Sequence, residues 1–230
     1  DMARLVLGRW TIDLARQEGH DLTTDLLRRD YRINAIALTL TTEPKLLDPS
    51  GGIADLRDQR ITAVNELNLL DDPLRLLRAL RLAAELSMTI DEATIEMIAR
   101  HRHHLPKVAP ERIQAELLKL VQANNADQAI HLLHSLQLIA PWSSDQPQRT
   151  FNAEALTKQE EQLALPLARL TQLLSDQGVS DLRFSRKQIQ RCLRLRRWWM
   201  RDQQQSADAL EERDRLKLHQ ELDDDLPAFT

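Results

Sequence analysis

The sequence predicts an α+β chain, with a mixed α/β segment first and an all-α remainder after it. Up to about residue 64, short apolar runs rich in β-branched residues alternate with turn signals. From Asp72 onward the apolar residues recur at three- and four-residue steps, as Leu74, Leu77, Leu80 and Ala84 do. Asp72-Pro73 marks the change, with Asp suited to an N-cap and Pro to the first helical position. A division at 1–64, 65–140 and 141–230 follows from these patterns.

Taken in order, Arg4–Leu7 and Trp10–Leu14 flank Gly8-Arg9 and predict a hairpin. Ala35–Leu40 predicts a buried strand, and Asp48-Pro-Ser-Gly-Gly52 a turn. Helices are predicted near 91–103, 110–123, 126–137, 153–175, 185–203 and 206–222. Ala140-Pro-Trp-Ser-Ser-Asp-Gln-Pro147 reads as a linker.

The chain has 230 residues, with 31 basic and 35 acidic side chains and a formal charge of −4. Any affinity for a polyanion must therefore come from a local patch. No apolar run is long enough to span a bilayer, so no membrane partner is expected. The single cysteine, Cys192, cannot form an internal disulfide, which fits a cytoplasmic protein, and it is expected to be a packing residue.

Three segments can carry chemistry. In Arg28-Arg-Asp-Tyr-Arg-Ile-Asn-Ala35 the arginines suit phosphate oxygens, while Asp30 and Asn34 suit ribose hydroxyls. The competing reading is a polar loop before a strand. In Asp48-Pro-Ser-Gly-Gly-Ile-Ala-Asp-Leu56 the paired glycines suit a hinge or a close backbone approach. In Asp71-Asp-Pro-Leu-Arg-Leu-Leu-Arg-Ala-Leu-Arg81, Asp72 and Arg75 are three apart, and Arg78 and Arg81 continue the row. A carboxylate accepts and a guanidinium donates hydrogen bonds. That pair matches the amine and ring nitrogen of cytosine and adenine and mismatches uracil and guanine. The competing reading is a capping aspartate beside solvated arginines.

In this order and spacing, the three segments resemble the class II tRNA CCA-adding nucleotidyltransferases and the bacterial poly(A) polymerases. Val108-Ala-Pro-Glu-Arg-Ile-Gln-Ala-Glu-Leu117 resembles the family's next motif, a helix that supports the nucleotide pocket. The likeness covers residues 3 to about 120 well. It implies a partial nucleotidyltransferase head sheet followed by a helical neck, body and tail. It implies transfer of CMP and AMP from CTP and ATP to the 3′ end of tRNA, with magnesium as cofactor. Arg28 or Arg29 would touch phosphate, while Asp30 and Asn34 would address the sugar or brace the pocket. Asp72 and Arg75 would read the base, supported by Arg78 and Arg81, and the Gly51-Gly52 segment would be a flexible element between head and neck. Poly(A) addition, CC-only addition and A-only addition remain open, as does a non-catalytic relic that binds RNA or nucleotide.

The family's first motif, Gly-Gly-x-Val-Arg-Asp followed by Asp-x-Asp, has no match here. The chain is therefore expected to be a fragment that is inactive alone, with Asp13 as a candidate third carboxylate and metal ligand or, equally, a structural strand aspartate. By the resemblance, Arg186, Lys187, Arg191, Arg194 and Arg197, with Trp198 and Trp199 beside them, form the candidate tRNA-binding face; the competing reading is a solvated arginine face with the tryptophans in the core. The acidic end Glu221-Leu-Asp-Asp-Asp225 reads as a solvated helix terminus, and His101-Arg-His-His104 as a polar helix end.

Overall fold

The computed structural model describes residues 2–145, 156–202 and 211–229. The chain forms two compact units, Asp1–Asp71 and Asp72–Thr230.

The first unit opens with the predicted hairpin, β1 (Met2–Leu7) and β2 (Trp10–Ala15), antiparallel with Leu5 opposite Ile12 and Leu7 opposite Trp10. Gly8 turns the chain with φ +59°. Because side chains alternate along a strand, Ala3, Leu5 and Leu7 share one face with Trp10, Ile12 and Leu14. Leu5, Leu7, Trp10, Ile12 and Leu14 are all exposed. Next come α1 (Leu22–Leu27), capped by the Asp21 carboxylate, and a 3₁₀ turn at Arg32–Asn34. The strand expected at 35–40 is reduced to β3 (Ala37–Leu38), paired with β4 (Leu46–Leu47). It is not buried, since Leu38 is 58% and Leu40 97% exposed. An apolar run becomes a buried strand only where a neighbour covers it, and here the ladder is two residues long. The helices α2 (Gly52–Arg57) and α3 (Glu66–Asp71) complete the unit, with β5 (Arg60–Ile61) between them.

The second unit is helical. In α4 (Leu74–Leu86), Leu74, Leu76, Leu77, Ala79, Leu80, Leu82 and Ala84 are buried. It packs on α6 (Pro110–Gln122) and α7 (Ala126–Ser135), with α5 (Glu92–His101) between α4 and α6 in the chain. α8 (Lys158–Leu173) follows, and its start carries a Thr157–Glu160 capping box. The Arg169 side chain is buried. It donates to Asp127 at 2.8 Å twice and to the Val121 carbonyl at 3.1 Å, tying α8 to the corner between α6 and α7. Helices on both sides of residue 141 therefore share one unit. The predicted linker begins as a 3₁₀ turn at Ala140–Trp142 with Trp142 buried. Its residues beyond 145, and the predicted starts of the helices at 153 and 206, lie outside the described residues.

α9 (Asp176–Asp181), α10 (Arg186–Asp202) and α11 (Glu212–Leu222) end the unit. The acidic end is solvated only in part, with Asp223 and Asp224 exposed and Glu221 and Asp225 half-buried. Residues Asp223–Ala228 form a 3₁₀ turn that packs on α8, and Ala228 and Phe229 are buried. Cys192 is fully buried, and that burial pushes its thiol pKa up. Among the described residues no helix is long and apolar enough to cross a membrane.

Candidate nucleotide and RNA site

The site residues fall in both units. In the first, Asp30 is 4% exposed, and its Oδ1 accepts from the Tyr31 backbone N–H at 2.9 Å and from Asn34 Nδ2 at 3.0 Å. Its carbonyl accepts from the Val64 N–H, and the Arg32 N–H donates to the Thr62 carbonyl. Asn68 donates through Nδ2 to the carbonyls of Leu27 and Arg29 at 2.8 and 2.7 Å. Asn34 stands in the 3₁₀ turn rather than at the head of a strand. Asp30 and Asn34 thus brace the loop, while the Arg28 and Arg29 side chains are 57% and 51% exposed. Arg28 lies 3.2 Å from Glu18 and Arg29 lies 2.7 Å from Asp25. Burial opposes ionisation of Asp25, but the Glu18 N–H and Arg29 outweigh it and hold the carboxyl below its ordinary pKa.

The glycine pair is a locked turn. Gly51 adopts φ +84°, and the Asp48 carboxylate accepts from the N–H groups of Gly52 and Ile53 at 2.6 and 2.9 Å. A Cβ on Gly52 would lie 2.0 Å from the Arg32 carbonyl oxygen. Of the two roles expected for paired glycines, the geometry is that of the close approach. It presses α2 against the turn that carries Asn34, so the flexible element implied by the resemblance is, in its local form, packed.

In the second unit, Asp72 sits one residue outside Pro73, which itself caps α4. The Asp72 Oδ1 accepts from the Leu74 N–H at 3.3 Å, and its Oδ2 accepts from Arg112 at 2.7 Å. A carboxylate offers about four acceptor directions, so two bonds leave capacity for a base amine. Arg75 and Arg78 are half-buried on α4. Arg81 departs from the expected ligand-facing guanidinium. Its side chain is 12% exposed and held at 2.7 Å by both Glu85 and Glu116. Two ion pairs therefore join the Asp72–Arg81 segment to α6. Arg112 and Glu116 lie in the Val108–Leu117 stretch that resembles a pocket-supporting helix, and four residues apart they share a helix face that complements Asp72 and Arg81.

Asp13 does not stand in a metal site. It faces Arg4 across the hairpin, with both oxygens engaged at 2.6 and 2.9 Å. The Arg4 hydrogen bonds hold its pKa below the ordinary value. Among the described residues no group of three or more His, Cys, Asp or Glu side chains is close enough to hold a metal ion. These residues do not fit magnesium.

The basic face of α10 is compensated in part. Arg191 is bound by Asp225 at 2.6 to 3.0 Å, Arg201 lies 3.3 Å from Asp214, and Arg197 lies 4.0 Å from Glu221. The Asp225 bond, against some burial, raises the Arg191 pKa. Arg196 is buried, donating to the carbonyls of Thr171 and Leu174 and pairing with Asp176. Trp198 and Trp199 are buried as well. Arg186, Lys187 and Arg194 remain exposed. The cleft beside them, about 540 Å³, is of mixed charge, lined among others by Lys187, Arg194, Glu221 and Asp224.

The poly A polymerase head domain model matches residues 10–62. The model described as the probable RNA and SrmB-binding site of polymerase A matches residues 87–148. A CC-adding tRNA nucleotidyltransferase of Synechocystis sp. is 39% identical over 152 residues, 66% of this chain and 36% of that protein. One from Geobacter sulfurreducens is 40% identical over 50% of this chain and 26% of its own length. The chain thus spans about a third of the length of the curated relatives it matches. Among solved structures, a CCA-adding enzyme in an apo form aligns with a TM-score of 0.76 at 21% identity, over 100% of this chain and 62% of that one. The Thermotoga maritima CCA-adding enzyme complexed with tRNA aligns with 0.72 at 21%, over the same shares. At that identity they establish the fold, a nucleotidyltransferase head followed by helical domains. With both family models matched in order and these relatives beside them, the chain belongs to the family of tRNA CCA-adding nucleotidyltransferases and bacterial poly(A) polymerases.

Proposed function

We propose that the whole protein adds CMP and AMP, from CTP and ATP, to the 3′ end of tRNA, and that this chain supplies its base-reading and RNA-holding parts. The observation that carries this reading is the Asp72 carboxylate, fixed by Arg112 at 2.7 Å at the start of the arginine-bearing α4. An aimed carboxylate accepts from the amine of cytosine or adenine, and Arg75, three residues on, is the donor for the ring nitrogen. Uracil and guanine would leave that carboxylate facing a carbonyl, which is what makes rejection strong. Asp30 and Asn34 hold the loop that presents Arg28 and Arg29 to phosphate. Arg78 is placed on the same helix as further support for the nucleotide. Arg81 acts through Glu116 as a positioning residue.

The family uses a divalent metal, expected to be magnesium, which would activate the RNA hydroxyl and neutralise triphosphate charge when bound. Asp13 is held by Arg4, and among the described residues no group of three or more His, Cys, Asp or Glu side chains could hold that metal. The 230-residue chain alone is expected to incorporate no labelled CTP or ATP. The three parts of this reading are a head segment at 1–64, a neck at 65–140 and a body and tail at 141–230, at work in the cytoplasm.

The direct test is equilibrium nucleotide binding. CTP and ATP should bind more tightly than UTP and GTP, and Asp72→Ala should remove that preference. Equal binding of all four by the unaltered chain would remove the base-reading assignment. CC-only addition is the second reading, because relatives at 35–40% identity are CC-adding enzymes. Products that stop at two cytidines, when the whole protein is given tRNA lacking its end, would select it.

A further inference from the structure

We propose that Asn68 is the positioning residue that aims Arg28 and Arg29 at the triphosphate of the incoming nucleotide. This rests on the phosphate role given to those arginines in the proposed function, and it names what holds them to it. Asn68 lies outside the segments at 28–35, 48–56, 71–81 and 108–117.

α1 ends at Leu27, and the last carbonyls of a helix have no partner within it. Asn68 supplies one. Its Nδ2 donates to the Leu27 carbonyl at 2.8 Å and to the Arg29 carbonyl at 2.7 Å. The first carbonyl belongs to the peptide before Arg28 and the second to the peptide after Arg29. A single planar amide, with two N–H groups at a fixed angle, therefore clamps the backbone on both sides of the arginine pair.

The clamp is itself held. Asn68 is 5% exposed, so water has little access to replace its amide. Its backbone N–H donates to Asn65 Oδ1 at 2.9 Å, as the third residue of a helix does to its N-cap. Asparagine is a poor residue for a helix interior, and leucine would serve α3 better. The bonds to the arginine loop are what the asparagine adds.

The far side of the loop is tied by backbone. The Arg32 N–H donates to the Thr62 carbonyl and the Val64 N–H to the Asp30 carbonyl, both at 3.0 Å. Tyr31, fully buried, pairs with Ala63. From this pinned backbone the Arg28 and Arg29 side chains reach out more than half exposed. Arg29 gives Nη2 to Asp25, and a guanidinium has five donors, which leaves capacity for phosphate oxygens. Arg28 meets Glu18 in a surface pair, weak enough for a triphosphate to displace. With the backbone already ordered, less freedom is lost when the nucleotide binds.

The test titrates the 230-residue chain with CTP and with cytidine, which lacks the phosphates, and reads the ratio of the two affinities. Asn68→Leu keeps the shape and neutrality of the side chain and removes both donors. It should lower the ratio about tenfold, the scale of one charge-assisted hydrogen bond, through weaker CTP binding alone. The preference for CTP over UTP should stay as it is. Asn68→Gln, which keeps the amide, should recover part of the loss. Arg28→Gln/Arg29→Gln should lower the ratio at least as far, and Asn68→Leu added to that pair should lower it no further. Where Asn68→Leu shows no cooperative melt, Asn68→Ser is read in its place. An unchanged ratio in a folded Asn68 variant would overturn the inference and leave the proposed function standing. So would an equal loss of CTP and cytidine, the mark of a structural role, or full additivity with the arginine pair. If Arg28→Gln/Arg29→Gln leaves the ratio unmoved, the phosphate role of the arginines fails, and the inference with it.

Discussion

Two arginine-rich helices of the second unit, α4 and α10, look alike in sequence and differ in what their cations do. On α4, Arg81 is bound internally by Glu85 and Glu116, while Asp72, at the same end as Arg75, is aimed by Arg112. On α10, acids of the chain's last stretch pair with part of the row, Asp225 with Arg191, Glu221 with Arg197 and Asp214 with Arg201, while Arg186, Lys187 and Arg194 stay exposed. A run of arginines on one helix face therefore says little about which of them can meet a ligand. Apart from Glu85, the acids that decide it sit elsewhere in the chain.

The comparison can be broken most severely at Glu116. Glu116→Ala removes one of the two carboxylates around a guanidinium that is only 12% exposed, and should cost about 2–4 kcal/mol in urea unfolding, toward the range for breaking a buried pair. A loss under about 0.5 kcal/mol, the level of a surface pair, would make the α4–α6 pairing incidental. Asp72→Ala should reduce the CTP-over-UTP preference by about 10- to 100-fold, the worth of a charged hydrogen bond, with little effect on melting. Arg112→Ala should weaken CTP about tenfold, with partial rescue by Arg112→Lys. Nucleotide titrations read both.

On α10 the expected effects are smaller. Arg191→Ala should cost about 1–2 kcal/mol, because the half-buried Asp225 loses its partner, yet leave tRNA affinity unchanged. A fall in tRNA affinity without a fall in stability would return Arg191 to the RNA face. The smallest effect concerns Cys192. Its folded pKa is raised by burial, so the unfolded chain loses its proton first as pH rises. Stability should decline above the ordinary thiol pKa of about 8.5 and be unaffected below it, in melts between about pH 7 and 10. A Cys192→Ser control should remove that decline.

What is legible in the sequence is what local chemistry fixes. The hairpin around Gly8, α4 from the Asp72-Pro73 signal and the turn at Asp48–Gly52 all depend on residues near one another. Asp72 is legible as a candidate, but its Arg112 partner is 40 residues away, and the Asp225 that neutralises Arg191 is 34 away. Composition gives no register for such pairs. The run at 35–40 misleads for a related reason: its apolar residues predict burial, but burial needs a covering layer, and Leu40 is 97% exposed. Asn34 is legible as a polar residue that matters locally, yet its place in a 3₁₀ turn follows from the Asp30 carboxylate it donates to.

The adjacent glycines at 51 and 52 would separate cleanly in a saturation scan of the gene. At Gly51 nothing lies within 4 Å of an added Cβ, so the cost is only a left-handed backbone, and asparagine or aspartate codons should survive there. At Gly52 an added Cβ would overlap the Arg32 carbonyl carbon and oxygen, atoms that no side-chain rotation can move aside. One position tolerates a few spellings and its neighbour admits a single letter. A tolerance map of this segment would thus record the contact between α2 and the Asn34 turn as one empty column beside a sparsely filled one.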